Sequence, residues 1–216
     1  MIFANIDYLN LLPLHIYIKK YPLPNGIKKA MHYKSGVPSK MNKAISNRQI
    51  DSSVISSIES FKKKYKKLDL GICANKRVLS VLVQKNTSYE KDKSSATSNA
   101  LAKVLKQNGK VVIGDEALRR YIKEPHLYND LCSLWYEKTS LPFVFGRFSC
   151  IRHKKLYEKM LYPFLRKKTK IPAYILERYS IQRGIDKKDI KNYLNFIYYK
   201  IGIREKMALK KFQSLL

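Results

Sequence analysis

No apolar run in this 216-residue chain approaches the roughly 18–20 residues of a membrane-crossing helix, so no membrane span is expected. The opening MIFANIDYLN lacks a basic n-region and a cleavable apolar stretch, which argues against a secretion signal and for the cytoplasm. Cysteine is scarce. Cys73, Cys132 and Cys150 are odd in number, far apart and without a CxxC pair, which argues against both a disulfide framework and a zinc site. His15, His32, His126 and His153 show no HExxH spacing, so no metal is expected. GxSxG, P-loop and dinucleotide fingerprints are missing, as are repeats and low-complexity segments, and no cofactor is expected.

Acidic residues are also few: 16 Asp and Glu against 44 Lys and Arg leave a net charge of +28, an excess that points toward polyanions or anionic substrates. The densest basic runs, KKKYKK at Lys62–Lys67 and RKKTK at Arg166–Lys170, carry no helix-turn-helix, zinc-finger or RNA-recognition pattern. Such runs are usually solvated faces, so no nucleic-acid partner is expected.

What is present is apolar material, 45% of residues with 16 Tyr and 8 Phe, enough to offset the entropy of ordering a sizeable core. Strand and helix signals alternate: strand at Ile2–Ile6, helix at Pro13–Ile18, strand at Met31–Tyr33, helix at Pro38–Arg48 with Ser39 as cap, strand at Ser53–Ile55. The alternation predicts βαβ units in an α/β sheet. A long strand is expected at Val78–Val83, a helix through Ala100, Leu101, Val104 and Leu105, a strand at Val111–Ile113 and a helix through Ala117, Leu118, Tyr121 and Ile122. After a strand at Leu141–Phe145 everything to Leu216 reads as helix, with Ile190, Leu194, Ile197, Tyr198 and Ile201 on one face, Gly184 as a stop and Asp186 as a cap. The expected layout is two α/β lobes, residues 1–84 with 146–216 and residues 85–145, joined by crossing strands around a cleft.

Candidate polar residues cluster at element ends. Asn10 closes the first strand, where open α/β sheets form ligand crevices, and its amide both donates and accepts; on local sequence it serves equally as a cap or turn residue before Pro13. The run SSATSNAL places Ser94, Ser95, Ala96, Thr97 and Ser98 at a helix start, where free N–H groups and the positive dipole end suit a carboxylate. Ser56 and Ser57 end a strand and would line the same cleft, and Ser80 is polar inside VLSVL on the crossing strand. Asp115 reads as a helix cap and Glu59 has no partner visible in sequence. No nucleophile–base–acid set emerges, so an enzyme built this way would lean on positioning and on its substrate.

The ordered segments YLNLLP, GVPSKMNKAI, SSVISSIES, VLSVLV, SSATSNAL, VVIGDEAL and LWYEKTSLPFVF resemble the chorismate dehydratases of the futalosine route to menaquinone. The likeness is strong from Ile2 to Phe145 and weaker beyond, where YLNFIYYKIG still looks similar. It implies a type II periplasmic-binding-protein-like fold acting in the cytoplasm on chorismate, giving 3-(1-carboxyvinyloxy)benzoate. The same resemblance implies that Asn10 and Ser80 hold the reacting region and that the helix start at Ser95–Ser98 receives a carboxylate. Two departures stand out: the chain is short for the family, which implies trimmed cleft loops, and Arg147 replaces a usually apolar residue. The rival expectations are dihydroxynaphthoate synthase of the same pathway, against which YLNLLP argues, and a non-catalytic small-anion binder.

Overall fold

The computed structural model describes residues 3–4, 6–32 and 36–216, without the side chains of residues 30–32. The strands are β1 (Ser52–Ser56), β2 (Lys66–Ala74), β3 (Val81–Gln84), β4 (Lys110–Ile113), β5 (Tyr128–Asp130), β6 (Phe143–Cys150) and β7 (Ile197–Lys200). They form two sheets, one ordered β1-β6-β2-β7 and one ordered β4-β3-β5. The helices before β3 are α1 (Leu12–Lys20), α2 (Asn25–His32), α3 (Pro38–Ser46) and α4 (Ser57–Ser60). The second sheet carries α5 (Ala96–Val104), α6 (Gly114–Lys123) and α7 (Leu131–Thr139), and the return is α8 (Lys154–Leu161), α9 (Ala173–Arg183), α10 (Lys187–Leu194) and α11 (Ile203–Ser214).

The α/β class holds, and one buried cluster runs through both sheets, from Val54 and Leu70 to Val83 and Val111. Trp135 closes it, edge-on to Phe143 and Phe212 while its indole N–H donates to the Pro142 carbonyl at 3.0 Å, so a bulky ring enters the core with its polar atom satisfied.

The chain crosses between the sheets twice, through Asn75–Ser80 and again from α7 into β6. The first crossing is pinned by Asp130, whose Oδ2 accepts the N–H groups of Val78 (2.9 Å) and Leu79 (2.7 Å) while Oδ1 caps α7 through Cys132 and Ser133. Val78 and Leu79 therefore give their donors to a carboxylate, and the strand expected over Val78–Val83 forms only from Val81, as the centre of the second sheet.

Other expectations change for similar reasons. The βαβ reading implies parallel neighbours, yet the ladders are antiparallel; Phe3 with Ser52 and Glu90 with Lys110 are isolated parallel bridges. Of the strand read at Ile2–Ile6, Ile2 and Asn5 lie outside the described residues. Met31 and His32 end α2 instead of forming a strand, and Tyr33 lies outside the described residues. A three-residue apolar run does not by itself distinguish strand from helix. The helical face read through Ile201 stops at Leu194, because Ile197–Lys200 pairs with the open edge of β2. The tail therefore is not all helix; β6 also runs on to Cys150.

Caps shift too. Val37, not Ser39, is the N-cap of α3, and the Ser39 N–H goes to the Ser94 carbonyl. Asp186 occupies the N-cap position of α10 without a side-chain bond, while Gly184 ends α9 at φ +60° as read. Asp115 is the second residue of α6 and does not cap it.

Candidate active site

Between the two sheets lies a narrow cleft with a cavity volume of about 60 Å³, at the kind of inter-sheet position where small ligands bind. Ile55 of β1, Ile72 of β2, Val81 of β3 and Phe145 of β6 form apolar walls, and Asn10, Ser80, Ser95 and Ser98 bring polar atoms to it. The ends of four helices also meet there: Pro38 opening α3, Ser56 capping α4, Ser95 capping α5 and Gly114 opening α6. Among the described residues no Asp, Glu, Lys or Arg lines this cleft. Helix N-termini facing a cleft lined by uncharged side chains offer first-turn N–H groups and the positive ends of helix dipoles to an anion.

The opening of α5 shows how local sequence builds this. Ser95 is extended (φ −133°, ψ 100°), so its Oγ turns back to accept the Ser98 N–H at 3.1 Å, and the two hydroxyls lie 2.8 Å apart. The pair shares one bond and retains a proton or lone pair for a ligand.

Asn10 sits in a 3-10 turn, Leu9–Leu11, directly before α1. Neither element is capped by it: the turn begins after Tyr8 and α1 after Leu11. Its carbonyl receives the Tyr199 hydroxyl at 2.7 Å, and its Oδ1 is buried without a partner in the protein. Buried polar atoms normally carry a hydrogen bond, so this acceptor in the cleft lining is available to one. The turn is held from the second sheet, because Asp115 Oδ1 accepts the Leu9 N–H at 3.0 Å. Burial, the largest influence, pushes the Asp115 carboxyl up to about 6 against the opposing Leu9 bond and Arg183, while Asp7 adds to the rise. Arg183 Nε lies 2.9 Å from Asp115 Oδ2 as an ion pair, though its N–H is not aimed at the oxygen.

Ser80 precedes β3 instead of lying inside a strand, and its Oγ accepts the Tyr193 hydroxyl at 2.9 Å. Tyr8 lines the cleft with its ring against Gly114, where φ is +69° and an added Cβ would come within 2.9 Å of the ring.

The structure thus brings Asn10, Ser80, Ser95 and Ser98 together, with the buried Ser56 in the same lining. Ser57 and Thr97 go elsewhere: the Ser57 hydroxyl donates to the Val144 carbonyl in the core, and Thr97 Oγ1 accepts the Ile58 N–H at 3.3 Å, tying α5 to α4. Ala96 opens α5 with its methyl exposed and outside the cleft lining. Glu59 has partners after all, the Tyr65 hydroxyl at 2.6 Å and Lys62 at 2.8 Å. Arg147 is spent on the Leu68 carbonyl and Asp69, and Arg77 stacks over Phe196, so neither reaches the cleft lining. Sequence reasoning does not single out Tyr193, Tyr199, Tyr8 or Asp130; the first two lie in YLNFIYYKIG, the stretch of the tail in which the resemblance is visible. Among the described residues no three His, Cys, Asp or Glu side chains assemble as a metal site.

A family model described as menaquinone biosynthesis matches residues 1–110 and 97–216. A Campylobacter jejuni protein named chorismate dehydratase is 65% identical over 213 residues, 98% of this chain and 96% of that one. Among solved structures, a protein of Archaeoglobus fulgidus superposes with a TM-score of 0.72 at 15% identity, covering 99% of this chain and 95% of that one. The periplasmic aliphatic sulphonate binding protein SsuA of Escherichia coli gives 0.53 at 11% identity, covering 99% and 85% respectively. A Candida albicans protein described as having the generic periplasmic binding protein structural fold gives 0.54 at 10%, covering 98% and 89%. The last three likenesses concern the fold alone, which is periplasmic-binding-protein-like.

Proposed function

This chain belongs to the menaquinone biosynthesis family, and we propose from that premise that it is a hydro-lyase converting chorismate to 3-(1-carboxyvinyloxy)benzoate on the futalosine route, in the cytoplasm. The observation that carries the proposal is the meeting of Asn10, Ser80, Ser95 and Ser98 in one cleft ringed by helix N-termini, alongside the 65% identity to a named chorismate dehydratase.

The chemistry suits neutral groups. The ring C3 proton is vinylogous to the C1 carboxylate, so its removal gives a delocalised dienolate that expels the C4 hydroxyl as the ring becomes aromatic. The base in this reading is the substrate's own enolpyruvyl carboxylate, held against C3, where intramolecular positioning supplies a very large effective molarity. The α5 opening at Ser95 and Ser98 receives a carboxylate. Asn10 and Ser80 hydrogen-bond the reacting region and oppose the charge that develops there. In this reading Ser57 and Thr97 support the cleft through the core bonds they make.

Incubating purified protein with chorismate and following the product by mass tests the proposal. Loss of one water from substrate, unaffected by EDTA, is expected. Binding without turnover would instead assign the cleft to a small-anion carrier.

A further inference from the structure

We infer that Tyr193 is a positioning residue of the dehydration: its hydroxyl donates to Ser80 Oγ and thereby directs the Ser80 proton into the cleft. This rests on the chorismate reading and gives a task to YLNFIYYKIG, which begins at Tyr193.

Tyr193 ends a turn of α10, is 1% exposed, and meets an equally buried Ser80 at 2.9 Å. A serine hydroxyl has one proton and two lone pairs. The phenol occupies a lone pair, so the Ser80 proton is the part left to bond elsewhere. Burial pushes the Tyr193 pKa further above its ordinary value, which keeps the phenol a donor at any working pH. Ser80 has little freedom to turn away. Its carbonyl accepts the Gly114 N–H at 2.8 Å, and the Val78 and Leu79 N–H groups just before it are fixed on Asp130. Ser80 belongs to the cleft lining, so the proton left free by the phenol has a ligand acceptor within its reach, and accepting one bond polarises the hydroxyl to donate another. The ligand chemistry this fits is an oxygen that gains negative charge as the C3 proton leaves.

A phenol that only satisfies its own burial would give a different result from one that works through Ser80. The test compares wild type, Tyr193→Phe, Ser80→Ala and the double variant, with rates taken per folded molecule from unfolding curves. Tyr193→Phe is expected to lower kcat about 3- to 10-fold, the worth of one neutral hydrogen bond, with KM moved less than about twofold. In the Ser80→Ala background the same change should cost nothing further. Tyr17→Phe, which loses a remote bond to the Met160 carbonyl at 2.9 Å, should leave kcat alone. Calorimetric titration with the benzoate product gives a second readout, expected to follow the same pattern. Full kcat in Tyr193→Phe, or an equal loss with and without Ser80, overturns this inference alone. Wild-type protein that leaves chorismate unchanged overturns the proposed function and this inference with it.

Discussion

Leu9 donates its backbone N–H to Asp115 Oδ1 at 3.0 Å, so a carboxylate on α6 of the second sheet holds the turn that carries Asn10. Arg183 and Asp7 face the same carboxylate, with Tyr179 and Tyr8 nearby. Burial raises Asp115 from 3.8 to about 6, so the folded protein binds this proton more tightly than the unfolded chain. The sign follows: the stabilisation is complete below about pH 4 and is lost as pH rises toward 6. Asp115→Asn should remove that part of the pH dependence, up to about 3 kcal/mol, from the stability difference measured by denaturant unfolding at pH 4 and pH 7. Parallel pH profiles for the two proteins would refute it.

Asn10→Ala should cost about 2.7–4 kcal/mol of transition-state stabilisation, as for one donor lost from an oxyanion hole. The side chain caps no helix, so the thermal midpoint should stay near wild type. Turnover and unfolding on one preparation check this; near-normal turnover would return Asn10 to a structural role.

Ser98 and Thr97 are neighbours with opposite expected behaviour. Ser98→Ala should weaken product binding by about 1.5–3 kcal/mol, the worth of a hydrogen bond to a charged group. Thr97→Ala removes the acceptor for the Ile58 N–H and should lower stability by roughly 1–3 kcal/mol with a smaller effect on affinity. Calorimetry and unfolding on both variants separate them, and equal affinity losses would contradict the assignment.

Gly114→Ala combines a φ of +69° with a Cβ 2.9 Å from the Tyr8 ring. Strain of order 1 kcal/mol or more is expected, together with displacement of Tyr8 in the cleft and loss of activity. An active variant with an unchanged midpoint would show that the ring yields freely.

With +28 net charge and no cationic side chain among the described cleft residues, long-range attraction and local binding are separate effects. Salt should lower the association rate of the dianionic substrate more than it raises the dissociation rate, because screening acts at distance. Stopped-flow binding across ionic strength measures both.

The α/β class, most helix positions and the polar candidates were legible in the chain because their causes are local. Proline opens α1 and α3, and Ser95 turns its hydroxyl to its own helix's N–H group. The ordered segments carried the family. What lay beyond the sequence was direction and partnership. Successive helix residues point about 100° apart, so whether Ser98 or Thr97 faces the cleft depends on how α5 is rotated against its neighbours. Ile197–Lys200 became a strand because β2 had an open edge, and that pairing lets Tyr199 reach the Asn10 carbonyl. Asp115 looked like a cap, yet its partner is Leu9, 106 positions away, and Tyr193 meets Ser80 across 113. Composition and spacing set the elements and the chemistry on offer; only the packing of the return onto the crossing segment decided which hydroxyls and carboxylates hold the site.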